Sequence, residues 1–186
     1  MSKNVALHIC CSICLVAPRE DLHSKGYKIQ GIYFNPNIQP FEEYFNRLEA
    51  LKLYIKNDRI NSLLSTEYSP ELHLNIARTE GLERKDLCSK CYELRLYFTA
   101  LYAKRNKITH FSTTLLSSPF QNNHKIREIG AKIEKELKIT FLDSNEWEKS
   151  HFAGKKRIKD ANLYVQKYCG CIYSKMDRKL EKRRTA

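Results

Sequence analysis

No apolar run in this sequence approaches the length of a membrane-spanning helix, so no membrane partner is expected. Only six glycines occur, and no Gly-x-Gly stands between a strand and a helix. The dinucleotide fingerprint and the phosphate-cradling loop of nucleotide enzymes are both missing, so neither nicotinamide nor ATP is signalled. There is no internal repeat, low-complexity tract or Gly/Ser/Pro linker. Residues 1–186 therefore read as one domain with a sizeable core. Met1 to Ile9 runs straight into a strand-like pattern without a basic segment and a cleavable apolar stretch, which predicts a cytoplasmic protein with no signal peptide. Acidic residues are few: 21 Asp and Glu face 33 Lys and Arg, a formal charge of +12. That surplus favours a polyanionic partner, nucleic acid first, although a lysine-rich proteome produces the same imbalance. With 42% hydrophobic and 29% charged residues the chain is expected to be globular.

Short apolar runs alternate with amphipathic segments. Val5 to Ile9 has the pattern of a buried parallel strand, with Cys10 at its exit, and Leu15 to Lys25 that of a helix stopped at Gly26. Ile29 to Phe34 predicts a second strand leading into the turn formers Asn35-Pro36-Asn37. Phe41, Tyr44, Phe45, Leu48 and Ile55 share a helix face. A third strand is expected over Leu63 to Tyr68. Cys91, Leu94, Phe98 and Leu101 mark a helix, and Thr109 to Thr114 a fourth strand. Ile126, Ile129, Ile133 and Leu137 mark the next helix, Thr140 to Leu142 a fifth strand, and the rest is helical with a basic tail. The fold class is α/β, a three-layer domain around a parallel sheet with a helical C-terminal segment. Ligands of such sheets bind beyond the carboxyl ends of the strands, where His8-Ile9-Cys10-Cys11, Tyr33-Phe34-Asn35 and Thr113-Thr114 fall.

Cysteine is the residue in excess. Seven occur, as Cys10-Cys11-x-x-Cys14, Cys88-x-x-Cys91 and Cys169-x-Cys171. A reducing compartment disfavours structural disulfides, and an odd number cannot all pair. Core packing accounts for single cysteines but not for three close groups. One zinc needs four ligands and would leave three thiols idle, whereas an iron–sulfur cluster with a further metal uses them. A thioredoxin-like dithiol at Cys88-x-x-Cys91 would leave the other two groups unexplained.

His8, two residues before the first cysteine pair, is a candidate proton donor or a structural strand histidine. Thr113, Thr114, Ser117 and Ser118 with Pro119 offer hydroxyls and backbone N–H groups to a phosphate or ribose, or a cap to the helix that follows. Tyr44 and Phe45 have core spacing, while Tyr33, Tyr92, Tyr164 and Tyr168 stand near the cysteines and suit substrate contact. Lys175 to Arg184 carries six basic residues, equally suited to a solvated face or to RNA.

Taken together, His8-Ile9-Cys10-Cys11-Ser12-Ile13-Cys14 and Tyr33-Phe34-Asn35-Pro36-Asn37-Ile38, with Pro40, Glu43-Tyr44 and Arg47, resemble the QueH family of epoxyqueuosine reductases. So do Cys88-Ser89-Lys90-Cys91-Tyr92-Glu93 with Arg95-Leu96, Thr113-Thr114-Leu115 with Ser117 and Pro119, and Tyr168-Cys169-Gly170-Cys171-Ile172 with Ser174. The resemblance runs from Leu7 to Ser174. Ile13 stands where the family commonly has proline, Cys14 where some members have aspartate, and Val165 where arginine is expected before Gln166. The last departure weakens a phosphate grip at position 165.

The resemblance implies an adenine-nucleotide α-hydrolase-like (HUP-type) fold without the ATP loop, and a 4Fe–4S cluster with one additional iron. It also implies a tRNA with a queuosine-type wobble guanosine as substrate, and reductive removal of the epoxide oxygen. An external low-potential electron donor of ferredoxin or flavodoxin type is expected. All seven cysteines are then metal ligands, His8 and Tyr33 the candidate catalytic residues, and Asn35, Arg47, Arg95, Thr113, Thr114 and Tyr168 the candidate substrate contacts. One partition gives the cluster Cys88, Cys91 and Cys169 with one of Cys10 and Cys11, and the second iron Cys14, Cys171 and the remaining cysteine. Rival readings are a zinc-stabilised RNA-binding module, a tRNA sulfur-transfer enzyme and a dithiol oxidoreductase.

Overall fold

Val5, Ala6 and Leu7 are wholly buried, as a strand covered on both faces requires, and form the middle of β1 (Lys3–His8). The computed structural model describes residues 3–56, 60–79 and 83–184. On one side β1 pairs with β2 (Tyr27–Tyr33), which pairs with β3 (Ile60–Ser65). On the other it pairs with β4 (His110–Thr113), followed by β5 (Thr140–Phe141). All four pairings are parallel and the order is β3-β2-β1-β4-β5. The strand order reverses between β1 and β4, so a crevice opens beyond His8 and Thr113, which face each other in register.

Helices flank the sheet as layers. α1 (Ser12–Ser24) packs against β2, α2 (Phe41–Ile55) and α7 (His151–Asp160). α4 (Arg84–Arg105) packs against β1, β4 and α5 (Asn123–Leu137). α3 (Glu71–Ala77) lies on α4, α6 (Glu146–Lys149) touches α1 and α7, and α8 (Ile172–Arg184) ends the described chain. This is the three-layer α/β architecture with a parallel sheet that the alternation of segments predicts. Among the described residues no helix is long and apolar enough to cross a membrane.

The differences from expectation are local. α1 starts at Ser12, three residues early, because the Cys11 sulfur caps it by accepting the Cys14 N–H. β3 is displaced toward the N-terminus, since the register on β2 pairs Ile29 with Ile60 and Tyr33 with Ser65; Tyr68 packs instead on the rings of Phe41 and Tyr44. α3 has no counterpart in the expected elements, being short and weakly patterned. Phe45, expected in the core, is half exposed while Tyr44 is buried. In α4 the deepest stripe is Tyr92, Leu96, Thr99, Ala100 and Ala103, and the expected Leu94, Phe98 and Leu101 are half-buried. Small alanines and a threonine line that seam, and apolar periodicity does not flag them.

Candidate metal centre

The chain leaves β1 at His8 and must turn at once to begin α1, and Cys10 and Cys11 occupy that turn. Their sulfurs are 3.8 Å apart, and those of Cys10, Cys11 and Cys14 all lie within 4.8 Å of one another, buried. Among the described residues no other three His, Cys, Asp or Glu side chains bring donor atoms so close. Thr114 binds Cys10 twice, accepting its N–H at 3.1 Å and donating to its sulfur at 3.4 Å. Gln166 donates its amide to the Cys11 sulfur at 2.8 Å from a segment 155 residues away.

Beneath this trio lies a fully satisfied polar layer. Asn35 donates to the Ile9 carbonyl at 2.9 Å, which turns its oxygen toward His8 Nε2 at 3.1 Å. Thr113 Oγ1 accepts the Leu115 N–H at 3.2 Å and donates to His8 Nδ1 at 2.8 Å. His8 is therefore a neutral ring with its proton on Nε2; burial and then Arg95 lower its pKa to about 4. Tyr33 is also enclosed, donating to the Tyr44 carbonyl at 3.1 Å, and burial pushes its phenol upward.

The other four cysteines are brought together elsewhere. Cys88 and Cys91 lie one turn apart on α4, and Cys169 and Cys171 lie just before α8. All four line a cleft together with Asn37, His73, Tyr92, Arg95 and Gln121. The cleft has ≈ 340 Å³ of empty space, counted to its open mouth. Cys171 caps α8, accepting the Ser174 N–H at 3.4 Å. The loop that carries Cys169 and Cys171 is held by Arg47, which donates to the carbonyls of Tyr168 at 2.9 Å and Cys169 at 3.0 Å. Arg47 also pairs with buried Glu43 at 2.7 Å, and Tyr168 donates its hydroxyl to the Gln39 carbonyl at 2.6 Å. Gly170 sits at φ +130 against this brace, and a Cβ there would come within 2.9 Å of Ile38. The expected partition is thus regrouped: Cys14 stands with Cys10 and Cys11, and Cys171 with Cys88, Cys91 and Cys169.

Electrostatics make both groups receptive to a cation. Hydrogen bonds from Cys11 and Cys14 hold the Cys10 thiol well below its usual range, against burial. Burial, then the bond to Cys10, pushes Cys11 up to about 12, and the bonds to Cys10 and Cys11 raise Cys14. In the cleft a hydrogen bond from Cys169, aided by Ser174, lowers Cys171 to about 5, and that same bond raises Cys169. In each group one thiol is held low and a neighbour is held high, an opposition that a cation between the sulfurs would relieve. Two buried arginines stand by: Arg47 beside Cys11, and Arg95 beside Cys91, Cys169 and Cys10. In both, burial opposes the charge and is outweighed, at Arg47 by Cys11 and the Glu43 carboxylate and at Arg95 by the surrounding cysteines. Arg95 donates Nε to the Cys91 carbonyl at 3.0 Å, and its Nη2 has no hydrogen-bond partner among the described residues.

Sequence patterning put Cys10 and Cys11 at the exit of the first strand and Cys91 on a helix, where they are found, and left Cys169 and Cys171 unplaced. It did not single out Gln166, His73 or Gln121 as lining residues, because a lone glutamine or histidine in a polar stretch carries no periodic signal. Asn35, Arg47, Thr113, Thr114 and Tyr168 lie at the site, each bonded to one of these cysteines, to the loop bearing Cys169 and Cys171, or to the layer beneath.

The family model described as epoxyqueuosine reductase QueH matches residues 5–177. Three bacterial proteins called epoxyqueuosine reductase QueH are similar along most of the chain. That of Thermotoga maritima is 31% identical over 94% of this chain and 92% of its own length. That of Dehalococcoides mccartyi is 29% identical over 96% of both. That of Helicobacter pylori is 32% identical over 90% of this chain and 48% of its own length.

Proposed function

The chain belongs to the epoxyqueuosine reductase QueH family, and from that premise we propose that it removes the epoxide oxygen of epoxyqueuosine at the tRNA wobble position to give queuosine. The step takes two electrons and two protons, breaks both C–O bonds of the epoxide, and leaves an alkene and water. The observation that carries the reading in this molecule is the buried trio Cys10, Cys11 and Cys14 at the carboxyl ends of the central strands, next to a second, open cleft lined by four more thiols.

Cys10, Cys11 and Cys14 would hold a single iron. Thiolates at about 2.3 Å from one tetrahedral ion lie about 3.8 Å from each other, the separation of the Cys10 and Cys11 sulfurs. Cys88, Cys91, Cys169 and Cys171 would hold a 4Fe–4S cluster, whose thiolates each take a different corner and so stand farther apart than the ligands of one ion. When bound, these groups supply electrons passed on from an external donor of ferredoxin or flavodoxin type, and an acidic site for the epoxide oxygen.

The chain's own residues prepare that chemistry. His8 and Tyr33 contribute by holding the strand ends: His8 fixes Asn35 and Thr113, and through Thr114 the floor beneath Cys10 stays rigid. With His8 neutral and bonded at both nitrogens, protons for the leaving oxygen reach the site from water in the open cleft. Arg47 keeps the Tyr168–Cys171 loop closed on the site, and Arg95 offsets thiolate charge with a guanidinium that needs no proton exchange at neutral pH. Tyr92 and Tyr173 line the cleft and Tyr168 precedes Cys169 on the loop held by Arg47, and these rings offer a wobble base a surface to stack on. A cytoplasmic tRNA partner agrees with the +12 charge.

Nucleoside mass spectrometry of tRNA from a strain lacking the gene tests the reading. Epoxyqueuosine should accumulate with queuosine lost, and the restored gene should reverse both. Normal queuosine in a strain with no second reductase contradicts it.

A further inference from the structure

His73 is an anomaly in the four-cysteine cleft. It is 1% exposed, lies on the short helix α3, lines the cleft beside Cys88, Cys91, Cys169 and Cys171, and its Nδ1 has no hydrogen-bond partner among the described residues. Leaving a buried polar atom unpaired costs about 1–3 kcal/mol, and a leucine of similar bulk would carry no such cost. The packing of α3 on α4 therefore does not explain a histidine here. A group that fills the cleft does.

We propose that His73 is a positioning residue for the metal centre in this cleft, donating an imidazole N–H to a sulfur of that centre. The inference rests on the reading that the four cysteines hold an iron–sulfur cluster. Four thiolates already occupy four corners, so no vacant corner remains for the ring as a ligand. A neutral imidazole has one N–H to give. Arg95 is another buried donor in the same cleft, its Nη2 without a hydrogen-bond partner among the described residues. Hydrogen bonds to the sulfurs stabilise the more negative, reduced state and so raise the reduction potential. His73 and Arg95 thus line one cleft as two buried donors.

The test is made on anaerobically prepared wild-type, His73→Leu and His73→Gln proteins. All three should contain the same iron and acid-labile sulfide. His73→Leu should shift the midpoint potential negative, by about 59 mV for each tenfold change in the one-electron equilibrium, and His73→Gln, which keeps an N–H donor, should fall between. Pulsed EPR of the reduced wild-type cluster should show a weak coupling to an imidazole nitrogen that both variants lose, the glutamine variant having an amide in its place, which decides the matter even if the leucine variant folds poorly. An unchanged potential at full cluster content overturns the proposal, as does a strong coupling of a directly bound nitrogen. Absence of acid-labile sulfide from the wild type overturns the cluster reading itself.

Discussion

At the scale of single residues the two cysteine groups are separable. Cys14→Ala removes one sulfur of the trio, and the iron content should fall by the single ion while acid-labile sulfide stays at the wild-type level. Cys91→Ala should do the reverse, removing sulfide and most of the iron. Colorimetric iron and sulfide analysis of anaerobic protein checks both, and loss of sulfide in Cys14→Ala would contradict the grouping. Arg47 is the other decisive residue. It is 2% exposed, pairs with Glu43 and holds two carbonyls of the Tyr168–Cys171 loop. Truncating one member of a buried pair strands the other, at about 3–5 kcal/mol. Arg47→Ala should lower the thermal midpoint of the metal-free protein as well as of the loaded one. Equal stability of the two metal-free proteins would show that the brace is dispensable.

The elements that bear the site differ in how legible they are. β1 and β2 announce themselves as short apolar runs and β4 as a β-branched and aromatic one, and Cys10, Cys11, Asn35 and Thr114 follow them closely. α3 and the segment before α8 do not. His73 and Gln166 reach the site only through tertiary packing of chain that has no hydrophobic period. The grouping of Cys14 and Cys171 was hidden for a related reason: it depends on where α1 and α8 begin, and both starts are set by a cysteine sulfur acting as the cap. Gly170, by contrast, is a local necessity. Its φ of +130 and the 2.9 Å approach to Ile38 leave no room for a side chain. Gly170→Ala should cost about 1–3 kcal/mol from backbone strain, visible as a lower thermal midpoint, and should reduce cluster content more than trio iron. Wild-type cluster content in that variant would show that the loop tolerates the change.

For the whole molecule, the order β3-β2-β1-β4-β5 explains why residues from three distant segments meet. The crevice at the strand-order reversal receives the β1 exit, the β4 exit and the chain leading to α8. The net charge of +12 suits the molecule as a whole to a polyanionic partner. Arg178, Lys179, Arg183 and Arg184 on α8 are exposed. Changing these four to Gln should weaken tRNA binding for all sequences alike. The salt dependence should flatten too, by about one logarithmic unit of slope for each phosphate no longer neutralised. An unchanged slope would assign binding to other basic residues.

The central claim is reduction of the epoxide on tRNA, and a single-turnover reaction tests it most directly. Anaerobic, cluster-loaded protein is mixed with epoxyqueuosine-containing tRNA and a chemical reductant, and the nucleosides are resolved by mass spectrometry. The account predicts queuosine rising as epoxyqueuosine falls, in equal amounts, and no conversion after Cys91→Ala. Epoxyqueuosine left intact by protein with full iron and sulfide would contradict it.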